Sequence, residues 1–334
     1  MNNKITLNHG NGGINTEKLI KNIFQKHFDN HILNEGIDSA ILPKVDGEIC
    51  FTTDSFVVKP TFFPGGDIGK IAMCGTINDL VVSGAIPLYI SAAFIIEEGF
   101  DIEDLEKIVI SMANISKITN VAIVTGDTKV VEKGSADGIY ITTTGVGKKI
   151  NDYESKEVCN NDKIIVTGGI GEHGTAIALS RYNINSKTEI LSDCMPLTKL
   201  QPILLKYIKD IKIMRDPTRG GVATILNEVV NYYNVGIQIE EESIPVKNSI
   251  KSVCNILGLD PMYLACEGRM LLVVNENIAE KMLNEIQNIE GCEYANIIGS
   301  IISDKYKNTV IMNTLIGGKR CIEHLYEDSL PRIC

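Results

Sequence analysis

The feature that most limits the folds open to this chain is its pattern of predicted strands and helices. Strand-like and helix-like segments alternate in two stretches, and a polar segment joins the two stretches. In the first half, runs rich in β-branched residues predict strands at 48–54, 88–96, 121–127 and 139–147. Helical patterns at 67–85 and 101–119 lie between them, and each begins with an Asp in N-cap position. Strands that alternate with helices in this way are typical of an α/β (or α+β) layered domain.

The second half opens with a strand, a Gly-rich turn and a helix at 163–180. Further helices are predicted at 198–209, 219–232 and 277–288, with a strand at 270–275. The charged segment 148–162 lacks sustained periodicity and forms the best boundary. We therefore predict an N-terminal domain over 1–150, a second α/β domain over 151–316 and, after Gly317 and Gly318, a flexible tail over 317–334.

Charge and cysteine usage exclude several functional classes. The 334 residues carry a formal net charge of −10, which argues against a nucleic-acid binder. The polar N-terminus and the absence of a long apolar run predict neither a signal peptide nor a membrane span. The nine cysteines include no C-x-x-C pair, so neither a disulfide framework nor a zinc site is indicated. We expect a cytoplasmic protein with mostly buried, inert thiols.

Four aspartates recur at predicted strand ends or strand–helix junctions of the first half. They are Asp38, Asp54, Asp79 and Asp127. Each alone is adequately explained as a helix cap or a turn residue. Together they predict a Mg²⁺ site, because Mg²⁺ prefers hard oxygen ligands and keeps waters and phosphate oxygens.

Two glycine clusters could cradle phosphate through main-chain N–H groups. The first, HGNGG at 9–13, includes Gly12 and Gly13 and precedes a helix predicted to start near Thr16. The second, TGGIGEHG at 167–174, follows a strand and opens a helix, but a single Gly-rich turn is weak support for a nucleotide site. The chain has no Walker A motif, so an ATP site would be of another type.

Two motifs of the second half offer further polar groups. In MRDPTRGG at 214–221, Asp216 is predicted to cap a helix whose first turn holds Pro217, with Arg219 facing phosphate. In ACEGR at 265–269, Glu267 lies just before a strand. A glutamate there is usually solvated, but partial burial would raise its pKa and suit it to act as a general base.

Taken together, these motifs resemble the HypE family of hydrogenase maturation proteins over essentially the whole chain. The matching stretches are HGNGG, TTDSFVVKP, GGDIGKIAMCGTINDLVVSGA, TGDTKVV, MRDPTRGGVAT, EGRMLLVV and the terminal PRIC. The Asp-rich motifs are shared by an ATP-binding superfamily that includes aminoimidazole ribonucleotide synthetase, selenophosphate synthetase and thiamine-monophosphate kinase. The terminal PRIC is far more specific. Asn11 departs from the Ser more usual in the Gly loop.

The resemblance implies a fold, an activity and partners. The fold would be a two-domain ATP-binding fold of the aminoimidazole ribonucleotide synthetase type, dimeric, with ATP and Mg²⁺ between the domains and a flexible tail. A carbamoyltransferase, HypF, would load a carbamoyl group on Cys334. ATP-dependent dehydration would then give a thiocyanate, whose cyanide passes to a HypC–HypD complex for NiFe-hydrogenase maturation.

The resemblance also implies residue roles. Cys334 would be the carrier, Glu267 the base and Lys129 its partner near the phosphates. Nucleotide contacts would come from Asn78, Asp79, Asp127, Asp216, Arg219, Gly12 and Gly13, and metal contacts from Asp38, Asp54, Asp79 and Asp127.

Three other functions stay open at this stage. Another ATP-dependent phosphoryl-transfer enzyme of the superfamily explains the Asp motifs but has no use for the terminal cysteine. Selenophosphate synthetase is disfavoured because the first cysteine, Cys50, lies inside a predicted strand. A non-catalytic adaptor could use the tail for docking alone. A thiol redox protein would need a second cysteine, and Cys321 is the obvious candidate.

Overall fold

The computed structural model describes residues 4–150, 153–303 and 305–325. The helices within these ranges are α1 Ile14–Leu19, α2 Lys26–Phe28, α3 Ile68–Val82, α4 Ile102–Thr119, α5 Glu172–Arg181, α6 Gln201–Tyr207, α7 Gly221–Tyr233, α8 Asn248–Leu257 and α9 Glu276–Gln287. A π-helical segment, Ile20–Gln25, joins α1 to α2. The strands are β1 Ile49–Phe56, β2 Phe62–Phe63, β3 Gly66–Asp67, β4 Ala85–Glu97, β5 Ala122–Val131, β6 Ile139–Lys149, β7 Lys163–Val166, β8 Ile211–Arg215, β9 Gly236–Glu240, β10 Leu271–Val274, β11 Asn296–Ile302, β12 Thr309–Asn313 and β13 Lys319–Ile322.

The first half of the chain builds a four-stranded sheet in the order β1-β6-β4-β5. Strand β6 is antiparallel to β1 and β4, while β4 and β5 are parallel. Because side chains alternate along a strand, Thr52 and Asp54 of β1 point to the face covered by α3. Phe51 and Thr53 point to the opposite face, where Phe51 is 70% exposed. Helix α3 therefore covers one face of this sheet, whereas the other face exposes Phe51.

Helix α3 is buried on almost every side because it lies between the four-stranded sheet and the second half of the chain. It begins as predicted, since the Asp67 carboxylate accepts hydrogen bonds from the N–H groups of Gly69 and Lys70. Helix α4 also follows an aspartate, Asp101, but this side chain makes no cap and instead forms an ion pair with Lys4.

The second half builds a seven-stranded sheet in the order β13-β12-β9-β11-β7-β10-β8. All neighbouring strands are antiparallel except the β12–β9 pair. Helix α7 packs on one face with its own hydrophobic core. Helices α5, α6 and α9 pack on the other face, in a core that is continuous with that of the first half. Among the described residues, no helix is both long and apolar enough to span a membrane.

Two sequence-based predictions need correction here. The predicted tail over 317–334 begins too early, because Lys319–Ile322 pairs with β12 as a sheet strand. Gly317, at φ 82°, turns the chain between β12 and β13. Cys334 and the rest of the predicted tail from 326 lie outside the described residues. Helix α7 begins at Gly221, two residues after the predicted start at 219, so Asp216 is not its N-cap and Pro217 does not lie in its first turn.

Candidate active site

Four carboxylates from both halves of the chain lie near one another at the junction of the two sheets. Asp54 comes from β1, Asp79 from α3, Asp216 from the turn after β8, and Glu267 from the loop before β10. The negative charges of Asp54, Asp79 and Asp216 all act on Glu267. The fold therefore brings together four of the acidic residues predicted from separate motifs.

Glu267 is the buried member of this group, with 3% of its surface exposed. Removal from water raises the pKa of its carboxyl to about 8, and the neighbouring carboxylates Asp193, Asp216, Asp54 and Asp79 add to the rise. A glutamate with such a pKa can accept and release a proton near neutral pH, which suits a general base. Glu267 is thus buried rather than solvated, which is the condition under which the sequence analysis allowed it to act as a base.

The other three carboxylates are also pushed toward the neutral form. Burial, and then the charge of Asp79, raises the pKa of Asp216 to about 7. Burial also raises the pKa of Asp54 and of Asp79, although Thr52 Oγ1 donates a 2.8 Å hydrogen bond to Asp79 Oδ2. Arg219 acts favourably on Asp54, and Arg215 on Asp79. Crowded acids of this kind favour binding of a cation, which would stabilise their charged forms.

Asn78 has a different role from the nucleotide contact predicted for it. Its side chain is buried, and Nδ2 donates to the carbonyl oxygens of Met195 (3.2 Å) and Glu267 (3.3 Å). Its Oδ1 accepts from the N–H of Leu197 at 2.7 Å. Both ends of the amide are thus used by the main chain, and Asn78 supports the Glu267 loop instead.

Asp127 and Lys129 lie on strand β5, at the opposite edge of the four-stranded sheet from Asp54 on β1. Three strand spacings separate the two edges, roughly 14 Å. Lys129 Nζ pairs with Asp127 Oδ2 at 2.8 Å, and both side chains are largely exposed. Within one chain, Lys129 therefore does not reach Glu267.

The predicted metal set of Asp38, Asp54, Asp79 and Asp127 is likewise not assembled by one copy of the chain. Asp38 is exposed in the loop before β1, and Asp127 lies at the far sheet edge. Across residues 4–150, 153–303 and 305–325, no three acidic, His or Cys side chains converge closely enough to hold a metal ion. Asp54 and Asp79 remain the members of the set that lie beside Glu267.

The first glycine loop lies against strand β5. Gly10 allows this approach, because a Cβ there would lie 2.8 Å from the N atom of Val130. The N–H groups of Gly12 and Gly13 donate within the loop, to Thr16 Oγ1 and Asn11 Oδ1, each at 3.0 Å. A phosphate could use these two N–H groups only by displacing those side-chain oxygens.

A cavity of about 280 Å³ opens between this glycine loop and β5. Phe24, Phe94 and Ile123 line its apolar part, and Asp127 and Lys129 line its polar part. An apolar cavity with a few polar groups at one end is typical of a site for a flat, partly polar ligand.

The second glycine turn, at 167–174, is filled by the chain's own carboxylates. Asp193 Oδ1 accepts from the N–H of His173 at 3.2 Å, at the start of α5. Arg269 Nη2 pairs with Glu172 Oε2 at 2.5 Å, and both side chains are buried. Nothing in the local sequence distinguishes Asp193, Arg269 or Glu172 from surface charges, so no motif marks them as part of this site.

Comparison with known proteins agrees with this architecture. Residues 36–148 match the family model of the AIR synthase related protein N-terminal domain, and residues 160–311 match that of the C-terminal domain. The fold and its junction site thus define an AIR synthase related two-domain protein, and the predicted fold class is confirmed.

Relatives that match over nearly the whole chain show which family within this class it belongs to. The carbamoyl dehydratase HypE of Rhizobium leguminosarum bv. viciae is 44% identical, covering 100% of this chain and 96% of the relative. A crystal structure of the hydrogenase maturation protein HypE in complex with ATP is 40% identical, with a TM-score of 0.94 and coverage of 98% and 99% of the two chains. A HypE–HypF complex contains a chain 46% identical, with a TM-score of 0.80 and coverage of 92% and 99%. The chain belongs to the HypE family, as its motifs predicted.

Proposed function

We propose that this protein is an ATP-dependent carbamoyl dehydratase that converts an S-carbamoyl group on Cys334 into a thiocyanate. The observation that carries the proposal is the buried Glu267, whose pKa is about 8 among three further site carboxylates. The names of relatives that cover the whole chain, and a relative solved with ATP, support the same activity. The thiocyanate would supply cyanide for the iron centre of a NiFe hydrogenase.

The chemistry needs a proton acceptor and charge neutralisation. The carbamoyl oxygen takes the γ-phosphoryl group of ATP and ADP leaves. The C–O bond then breaks, phosphate departs with that oxygen, and the nitrogen loses both protons as the C≡N bond forms. In its ionised form, Glu267 would accept one of these protons and the departing phosphate the other. A pKa of about 8 makes this carboxylate a stronger base than an ordinary glutamate. Carrying the substrate on the chain makes the reaction intramolecular, which is worth up to roughly 7–11 kcal/mol when alignment is good.

The carboxylates of the site fit Mg²⁺, because they are hard oxygen donors, and burial raises the pKa of Asp54 and Asp79 so that a bound cation would favour their charged forms. Asp54 and Asp79 would hold the metal together with phosphate oxygens. When bound, Mg²⁺ neutralises charge on the phosphates. Asp216 and Arg219 would contact the nucleotide from the second half of the chain.

We further propose a homodimer in which Asp127 and Lys129 of a second copy complete the site. The outer face of the four-stranded sheet supports this, because Phe51, Ile86 and Ile95 expose 70%, 40% and 43% of their surfaces there. Strand β1 is also an unpaired sheet edge among the described residues, and such edges are normally covered. If this contact also sets edge strand β1 of one copy beside edge strand β5 of the other, Lys129 of one copy would lie near Asp54 and Glu267 of the other. The cavity beside β5 would then take the base of ATP, with Gly12 and Gly13 at the phosphate end.

The predicted partners follow from the same activity. HypF would load the carbamoyl group, which the complex of a 46% identical relative with HypF supports. A HypC–HypD complex would accept the cyanide. The cytoplasm is the expected compartment, since the cysteine pattern suits a reducing environment.

Intact mass spectrometry tests the proposal. The protein is incubated with carbamoyl phosphate, ATP, Mg²⁺ and the carbamoyltransferase. We expect a gain of one carbamoyl group, followed by an ATP-dependent loss of the mass of one water. Cys334→Ala should gain nothing, and Glu267→Gln should stop at the carbamoyl adduct. An unmodified wild-type protein in the presence of an active transferase would refute the assignment.

A further inference from the structure

The peptide of Glu267 is held from two sides by buried polar side chains. On one side, Asp193 Oδ1 accepts from its N–H at 3.4 Å. On the other, Asn78 Nδ2 donates to its carbonyl oxygen at 3.3 Å, and the N–H of Met195 approaches the same oxygen at 3.5 Å. The individual contacts are long, so the position of the loop depends on all of them together.

Asp193 is itself fixed within a buried network. Its side chain is fully buried, and Oδ1 also accepts from the N–H of His173, at the positive end of α5. Its Oδ2 lies 3.4 Å from Nε of Arg269, whose own Nε and Nη1 donate to the carbonyls of Gly169 (2.9 Å) and Gly291 (2.8 Å). A buried carboxylate with a buried arginine and main-chain donors around it is held in one geometry.

The main chain is shaped to permit this contact. Gly268 follows Glu267, and a Cβ at Gly268 would lie 2.0 Å from the carbonyl oxygen of Asp193. Any other residue would force the two segments apart. Segment 192–197 therefore approaches the Glu267 loop closely for two reasons. Asp193 accepts a hydrogen bond from the loop, and Gly268 has no side chain to keep the two segments apart.

We propose that Asp193, anchored by Arg269, is a positioning residue that holds Glu267 in place for proton abstraction. Asp193 does not face solvent and does not contact the reacting atoms; it acts through the Glu267 peptide. This inference rests on the proposed dehydratase activity and assigns that activity a residue that no sequence motif marked.

The charge of Asp193 has a second effect on the same base. After burial, it is the first of the carboxylate charges that raise the pKa of Glu267. Burial also raises the pKa of Asp193 itself, and the charge of Arg269 opposes that rise and favours the ionised form. Removing the charge of Asp193 while keeping the shape should lower the pKa of Glu267. The low-pH limb of the activity profile should then move to lower pH, which a purely structural role of Asp193 would not produce.

The test compares Asp193→Asn with wild type in single-turnover dehydration of the preloaded S-carbamoyl protein. We expect kcat to fall about 10- to 100-fold, KM for ATP to stay unchanged, and the low-pH limb to shift down. Wild-type kcat together with an unshifted profile would overturn the proposal.

Asn78→Ser is the second variant, in case Asp193→Asn does not fold beside the buried Arg269. It removes the uncharged anchor on the other side of the same peptide. We expect a lower kcat with no shift of the pH profile. A wild-type kcat would contradict the proposal that contacts to the Glu267 peptide position the base. If wild type itself fails to dehydrate its adduct, the proposed function fails first, so the two failures are distinguishable.

Discussion

The pKa of Glu267 predicts an unusual pH dependence of folding stability. The folded state holds a proton on Glu267 up to about pH 8, whereas the unfolded chain releases it near the ordinary value of 4.5. The folded state thus binds more protons between these values, so this group makes the protein less stable as pH rises. Between pH 6 and pH 8 the loss from this one group amounts to about 2 kcal/mol in the free energy of unfolding.

Glu267→Gln removes the titration while keeping size and hydrogen-bonding capacity. Urea denaturation is measured in EDTA, without nucleotide. Relative to wild type, the free energy of unfolding of the variant should rise by about 2 kcal/mol between pH 6 and pH 8. Asp216 also titrates in this range, but it is present in both proteins and largely cancels. Glu290→Gln, at a side chain 91% exposed, is the matched control. Its free energy of unfolding should change with pH in the same way as that of wild type. A constant gap between Glu267→Gln and wild type would refute the assignment of a buried, protonated glutamate.

Three further predictions concern the assembled site. Phe51→Lys should convert the proposed homodimer to monomer in analytical ultracentrifugation, because the charge falls on the exposed sheet face. Ile118→Lys, on the exposed side of α4, should not. Asp127→Asn and Glu267→Gln chains are mixed and refolded together. If each active site takes Asp127 from one copy and Glu267 from the other, the mixture should recover about a quarter of wild-type turnover. No recovery would contradict an active site shared between copies. Asp79→Asn should lower dehydration at least about 100-fold at fixed ATP and Mg²⁺, and unchanged turnover would remove Asp79 from the site.

Local sequence signals identified most of the regular structure near the site. The Asp67 cap, the strands at 48–54 and 139–147 and the entry of Glu267 into β10 are all borne out within a few residues. These features depend on capping and on the period of apolar residues, which act over a few positions of the chain. The predicted helix 219–232 agrees with α7 to within two residues at each end, but the predicted cap at Asp216 is wrong because Gly220 and Gly221 form a turn that Pro217 alone does not reveal.

Other elements carried no usable local signal. The strand Lys319–Ile322 is mostly exposed and charged, and only its pairing with β12 makes it a strand. The predicted tail therefore started too early. Short edge strands of this kind are decided by the neighbouring strand rather than by their own residues.

The sequence by itself determined which residues could do the chemistry, because acidic and glycine-rich motifs are short and can be recognised from neighbouring residues alone. Tertiary structure alone decided which of them meet. It buried Glu267 beside Asp54, Asp79 and Asp216, placed Asp127 and Lys129 at the far sheet edge, and turned Asn78 toward the main chain. It also introduced Asp193, whose importance comes entirely from burial and from contacts made 74 residues along the chain. Burial and charge proximity are properties of the folded chain, and they set the pKa of a base that no motif can specify.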